Sequence, residues 1–251
     1  MSSLSQKEGG GEMRLKLDFE LYSNEFPIES RRVALSFFKA ALEQYDQALF
    51  KNMFSKSKSI MKDYVFSLYL PIKKIEDEKI ILKNPRIHIY FSTDDLSLGV
   101  NFYNAFNACL NKKLKNKGLS YMLKKINMIY EETIVNSEIN VKFMSPLLVR
   151  DFLEKGDSEL YIGPDDERFE KRLNEIVAVQ IKELKSGLGL KGKISIEPIN
   201  TKKTVIKHYG QFIDGYGGIY CLKSNPEILN YLYKSGVGSR RSHGFGMFNL
   251  I

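Results

Sequence analysis

With 251 residues, 43% of them apolar, the chain can build one large domain or two small ones, which excludes a disordered polypeptide. Its 38 lysines and arginines against 30 acidic residues leave a net charge of +8; this points to an anionic partner, nucleic acid or a membrane surface, and is silent on the fold. No apolar run approaches the roughly 20 residues of a membrane span, the N-terminus lacks a signal-peptide core, and Cys109 and Cys221 stand apart without the paired spacing of a zinc site. A cytoplasmic protein without disulfides is expected.

Residues 1–12 are rich in Gly and Ser and read as a flexible tail or tag remnant, with Met13 as the natural start. From 14 to 21, charged residues alternate with Leu15, Leu17, Phe19 and Leu21, the period of a strand with one buried face. Residues 29–44 place Val33, Phe37 and Ala41 with Ala34 and Phe38 on one stripe, as an amphipathic helix does. A polar stretch, 51–62, predicts a short helix and a loop. Strands follow at 64–70 and 86–92, separated by a charged turn at 73–79. A helix is predicted over 94–115, with Thr93 as its N-cap and lysines at its end, where the dipole favours positive charge. A strand at 121–131 closes the first half.

The second half repeats the plan: a strand at 139–144, a helix at 165–185 ended by Gly187 and Gly189, and a strand at 193–198. Segments 204–209 and 217–222 form a bent hairpin; a helix at 226–234 and a strand at 245–251 complete the chain. Each half reads βαββαβ, the ferredoxin-like unit. The predicted class is therefore α+β, with two tandem ferredoxin-like (RRM-like) domains over 13–136 and 137–251.

Between the last helix and the last strand, Gly236, Gly238, Gly244 and Gly246 surround the pair Arg240 and Arg241. Glycines permit positive φ and close approach of a ligand, and guanidinium forks suit phosphate oxygens. A dinucleotide fingerprint is excluded because the order here is helix, loop, strand, and a P-loop because the chain has no Gly-Lys-Ser/Thr. A phosphate-facing loop and a plain helix-to-strand turn both fit. Other basic groups are Arg31 and Arg32 at the first helix, Lys112, Lys113, Lys115, Lys117, Lys124 and Lys125 late in the first half, and Lys202, Lys203 and Lys207 in the second. Phe37, Tyr103, Tyr209 and Tyr216 are candidates for stacking on unpaired bases.

The spacing Gly236-x-Gly238-x5-Gly244-Phe245-Gly246-Met247 resembles the C-terminal signature of the CRISPR repeat-RNA processing endoribonucleases, members of the RAMP group of RNA-binding proteins. The resemblance extends to YGGIYCL (216–222), NPEIL (225–229) and Leu232-Tyr233, and to MRLKLDFE (13–20), YVFSL (64–68) and FMSPL (143–147). It implies the same tandem fold and, as partner, CRISPR repeat RNA (pre-crRNA) held against the glycine-rich loop. Arg32, Gly236, Gly238, Ser239, Arg240, Arg241, Ser242 and Gly244 are the RNA-binding candidates. It further implies cleavage without metal or cofactor: a ribose 2′-oxygen attacks the neighbouring phosphorus, leaving a 2′,3′-cyclic phosphate and a 5′-hydroxyl. Effector-complex subunits are further candidate partners, and monomer or homodimer stays open. A repeat-RNA binding protein with weak or no cleavage, and a RAMP-type effector subunit, are the alternatives.

Many members of that family carry a histidine shortly after the first helix, a tyrosine within it and a lysine before the second strand. Here the only histidines are His88, His208 and His243. Lys62 stands at the lysine position, Lys39 near the tyrosine position, and the histidine position falls around Lys51-Asn52-Met53. The implied site is therefore Lys39, Lys51 and Lys62 around the phosphate, Tyr64 or Tyr45 as proton relay, and His243 as an alternative base. His88 reads as a sheet residue, and His208 has no assigned role.

Overall fold

The computed structural model describes residues 13–54, 60–116, 118–151, 160–185 and 192–251; the expectations for residues 1–12, Lys117, Gly187 and Gly189 lie outside them. The first half runs β1 (Arg14–Leu21), β2 (Glu25–Pro27), α1 (Ser30–Tyr45), α2 (Gln47–Phe54), β3 (Val65–Tyr69), β4 (Ile72–Glu76), β5 (Lys79–Leu82), β6 (Arg86–Ser92), α3 (Leu96–Ala108), β7 (Lys113–Asn116) and β8 (Leu119–Ile129). Its main sheet has the order β3-β6-β1-β8-β7. Without the extra edge strand β7, this is the antiparallel ferredoxin-like arrangement, β1-α1-β3-β6-α3-β8. Leu15, Leu17, Phe19 and Leu21 turn to the helix layer, where Phe38 lies 5.0–6.3 Å, centroid to centroid, from Phe37, Tyr64, Phe66, Phe91, Phe102 and Phe106.

Two predicted features differ. Residues 73–79 are no plain turn: β4 and β5 form a hairpin around Asp77 (φ 48°), and β2 adds a third strand. β4 is exposed at every position, so its charged residues never meet a core and period-2 burial leaves no trace in them. The helix α3 begins after Asp95, whose carboxylate accepts from the Leu98 N–H at 3.0 Å. Thr93 sits outside the helix, where its hydroxyl accepts from the Asp95 N–H (3.1 Å) and donates to the Asp63 carbonyl. Lys113 and Lys115 fall on β7 and do not complement the helix dipole.

The second half runs β9 (Glu138–Leu147), β10 (Val149–Asp151), β11 (Leu160–Ile162), α4 (Phe169–Lys185), β12 (Ser195–His208), β13 (Gln211–Lys223), α5 (Pro226–Ser235) and β14 (Phe248–Leu250). The sheet order β12-β13-β9-β14, antiparallel throughout, repeats the ferredoxin-like plan. The predicted strands at 193–198 and 204–209 are one strand, β12, with a bulge between Pro198 and Asn200. Tyr209 and Gly210, with φ of 51° and 80°, close its hairpin as a two-residue turn with two left-handed positions. The last strand is shorter than predicted, because Phe245 and Met247 are fully buried in the preceding loop.

The halves are joined by specific polar contacts. Arg14, 1% exposed, donates to the Phe248 carbonyl (2.6 Å) and Asn249 Oδ1 (2.7 Å) and lies over the Tyr233 ring. The Ser67 hydroxyl donates to the Met144 carbonyl at 2.7 Å. At the other end, the β12–β13 tip reaches the start of α1: the Gly210 N–H donates to Glu29 Oε1 (2.9 Å), and Lys207 pairs with Glu78 (2.5 Å). Among the described residues no helix is long and apolar enough to cross a membrane.

Candidate functional site

The helix α5 starts at Pro226 behind the Asn225 cap and stops at Gly236, whose φ of 76° ends the helical path. The glycine loop then folds onto itself and onto the first half. Val237 N–H donates to the Gly246 carbonyl at 3.0 Å, and a Cβ on Gly246 would lie 1.9 Å from the Val237 oxygen. A Cβ on Gly244 would meet the Phe66 ring at 2.7 Å. Both glycines have positive φ, so internal packing already demands them without appeal to a ligand. Gly246→Ala is expected to cost about 2–4 kcal/mol, from left-handed strain plus overpacking, read as a lower midpoint in denaturant. A wild-type midpoint would contradict this packing.

The two loop arginines have different surroundings. Arg241 is buried and donates from Nη1 to the Ser235 carbonyl at 2.6 Å, in the field of Asp63; burial lowers its pKa. Its expected role as a phosphate ligand is corrected: the guanidinium closes the end of α5. Arg240 is partly exposed, with Nε donating to the Tyr161 hydroxyl at 2.5 Å. Arg31 holds the loop from below, donating to the Gly244 carbonyl (3.0 Å) and lying 4.6 Å over Phe245; burial lowers its pKa to about 10. Arg32 pairs with Glu29 and lies 4.9 Å over the Tyr209 ring. Gly236, Gly238 and Gly244 are buried, which leaves Ser239, Arg240, Ser242 and His243 as the loop's solvent-facing residues.

Those four line a cleft of about 610 Å³ whose opposite walls include Lys62, Ile60, Ile176 and Val179. Lys62 and Lys39 both place their ammonium groups 5.1 Å from the centre of the Phe54 ring. Lys39 makes no ion pair with Glu43 among the described residues. Burial and the neighbouring Lys39 lower the Lys62 pKa. His243 sits beside them, and burial together with His208, Arg240, Lys62 and Lys39 pushes its pKa down to about 4. Its ring is neutral at physiological pH and can accept a proton. His243 Nδ1 lies 3.4 Å from His208 Nε2.

Three expected site residues lie elsewhere. Tyr64 is 0% exposed, stacked on Phe91 at 5.5 Å with a buried oxygen that has no partner among the described residues; burial raises its pKa far out of reach, so it is a core residue and no proton relay. Tyr45 is turned outward, its hydroxyl accepting from Asn104 at 3.1 Å. Lys51 is exposed on α2, and among the described residues nothing joins it to Lys39 or Lys62. Phe37, 3% exposed, belongs to the core and cannot stack on a base, whereas Tyr209 is 49% exposed. His88 pairs with Asp18 within the sheet, at 2.6 Å. Phe54 and His208 carry no signal in the sequence that would assign them to the site. The turn signal at Tyr209-Gly210 locates the hairpin tip but not the helix it folds over. Among the described residues, no three His, Cys, Asp or Glu side chains converge as a metal site would require.

Two ferredoxin-like units stand in tandem, and the second ends in a glycine-rich loop that packs against the first. Residues 129–250, just under half of the chain, match the family described as CRISPR associated protein Cas6, C-terminal. Solved structures agree on the fold. The product of a Cas6-related gene from Pyrococcus furiosus is 20% identical, with a TM-score of 0.82 over 96% of this chain and 99% of that one. A RAMP protein binding different RNA substrates is 20% identical, with a TM-score of 0.80 over 95% and 99%. A Cas6 product complex is 16% identical, with a TM-score of 0.66 over 95% and 100%. No curated protein matches the sequence.

Proposed function

We propose that the chain is an endoribonuclease that cuts CRISPR precursor RNA within its repeats, without a metal ion. What supports this reading is that His243 and Lys62 line one cleft beside the glycine loop, with Lys39 sharing the Phe54 ring with Lys62 and adding to the positive field on His243. The family supplies the substrate class, and neighbours described as a product complex and as binding different RNA substrates support RNA as the ligand. The site is shared: Lys39 and Lys62 come from the unit at 13–136, His243 and the loop from the unit at 137–251.

In this mechanism the scissile phosphate lies against Lys62 and Lys39, with Arg240 on an adjacent phosphate. His243 takes the proton from the ribose 2′-hydroxyl, the 2′-oxygen bonds to phosphorus, and the bond from phosphorus to the 5′-oxygen breaks. The leaving oxygen takes a proton from Lys62, whose lowered pKa suits that transfer. The two ammonium groups stabilise the negative phosphorane throughout.

Cleavage of a repeat RNA in excess EDTA tests the reading. The expected products carry a 2′,3′-cyclic phosphate and a 5′-hydroxyl, and a 2′-deoxy nucleotide at the cut position abolishes cutting with affinity held within about 2-fold. Cutting that requires a divalent cation, or that leaves a 3′-hydroxyl, would overturn it.

A further inference from the structure

His208 is a buried titratable group, 6% exposed, that the chemistry above does not use. It ends β12, immediately before the Tyr209-Gly210 turn, and its ring meets Phe245 edge-on at 5.3 Å and Tyr209 at 4.7 Å. These contacts, with the Gly210 N–H on Glu29 and Arg32 over Tyr209, hold the hairpin tip against α1. The Nε2 of this fixed ring lies 3.4 Å from His243 Nδ1. One proton must sit between the two nitrogens, since two lone pairs would repel and two N–H groups would clash.

Which ring carries it decides what His243 can do. If His208 donates to Nδ1, the other ring nitrogen of His243, Nε2, bears a hydrogen and cannot act as a base. If His243 donates from Nδ1, its Nε2 lone pair is free. The charges around His243 choose between them: Lys39 on α1, Lys62 before β3 and Arg240 in the loop are all cations. A lone pair directed among cations is favoured over an N–H dipole directed the same way. We infer that His208 is a positioning residue that accepts from His243 Nδ1–H and so fixes the tautomer whose Nε2 lone pair is available to RNA in the cleft. The role rests on the cleavage reading, but the tautomer itself belongs to the protein without RNA.

The arrangement has the form of the groups that orient metal-ligating imidazoles through the other ring nitrogen, whose loss costs about 10–100-fold, and that figure is taken here as the scale. Two variants separate orientation from mere packing. In His208→Gln a side-chain oxygen takes the place of the acceptor; in His208→Leu the volume is kept and the acceptor is removed.

The experiment combines ¹⁵N NMR of the ring nitrogens of the RNA-free protein with cleavage assays. The expected wild-type signal is a protonated Nδ1 and an unprotonated Nε2 on His243, retained in His208→Gln and lost or mixed in His208→Leu. Cleavage is expected within about 3-fold of wild type for His208→Gln and about 10–100-fold slower for His208→Leu, with repeat-RNA affinity unchanged in both. His208 is among the groups that lower the His243 pKa, so in His208→Gln the acid limb of the rate profile moves to higher pH. A hydrogen on His243 Nε2 in the wild type, or equal cleavage by the two variants, would overturn the inference. A protonated Nδ1 in a protein that cuts no repeat RNA would leave the tautomer standing and sink the cleavage reading instead.

Discussion

Replacing His243 with alanine is expected to slow cleavage of repeat RNA about 1,000-fold while affinity stays within about 3-fold. A positioned general base contributes about 10²–10⁴-fold, and among the groups lining the cleft near Lys62 His243 is the neutral nitrogen able to take the 2′ proton. The loop itself should survive, because Arg31 on the Gly244 carbonyl and Arg241 on the Ser235 carbonyl hold its path without His243. The pH dependence has a definite sign. Burial and the surrounding cations disfavour the imidazolium and put the pKa at about 4, so the base is already free well below neutrality. The kcat/KM of the wild type should climb through about pH 4 and be level by pH 6. The same shift makes stability full above the ordinary histidine pKa of about 6.5 and lower as the pH falls toward 4, since the unfolded chain takes the proton first. An acid limb centred near 6.5, or wild-type cleavage by the alanine variant, would remove His243 from the chemistry.

Most of the fold was legible because its core elements obey one period each. The alternation from Arg14 to Leu21 and the Val33, Phe37, Ala41 stripe are consequences of one buried face, and that face is what the ferredoxin-like layers share. The β4 strand escapes such a reading for the converse reason: exposed at every position, its residues are free to be charged. β10 and β11, three residues each, are too short to carry a period. At the site, two of the three expected lysines, Lys39 and Lys62, meet on the Phe54 ring, whereas Lys51 lies apart on α2. Their meeting with His243 depends on the hairpin tip and loop of one half docking on α1 of the other, a relation between positions more than 170 apart that no local pattern encodes. Tyr64 shows the opposite error. A tyrosine beside a candidate lysine suggests a relay, but the chain turns Lys62 and Tyr64 into different environments, one at the cleft and one among phenylalanines.

Arg240 and Arg241 are adjacent in sequence and expected to fail in different ways when each is replaced by alanine. Arg241→Ala removes a buried guanidinium, leaving the Ser235 carbonyl without that donor and Asp63 without one of its neighbouring positive charges. Losing a buried hydrogen bond from a charged group costs about 1.5–3 kcal/mol; Lys185 remains 3.5 Å from Asp63, so the loss falls on the Ser235 carbonyl, near the upper figure. For a chain of this length about 3 kcal/mol lowers the melting temperature by about 6–12 °C, while the folded fraction should bind repeat RNA much as before. Arg240→Ala keeps a non-glycine residue at the same left-handed position (φ 57°), and its hydrogen bond to the Tyr161 hydroxyl is among the contacts given up, a cost of about 1 kcal/mol for that bond. Its effect should fall on RNA: weaker binding, and a salt dependence of log K shallower by about 0.7 for each single-strand phosphate that the variant no longer neutralises. Thermal unfolding and binding at two or more salt concentrations, run on both variants, separate the roles. If Arg241→Ala melted like the wild type and its salt-dependent affinity fell instead, the guanidinium would have to leave its buried site to meet RNA, and this conformation of the loop could not be the one that binds.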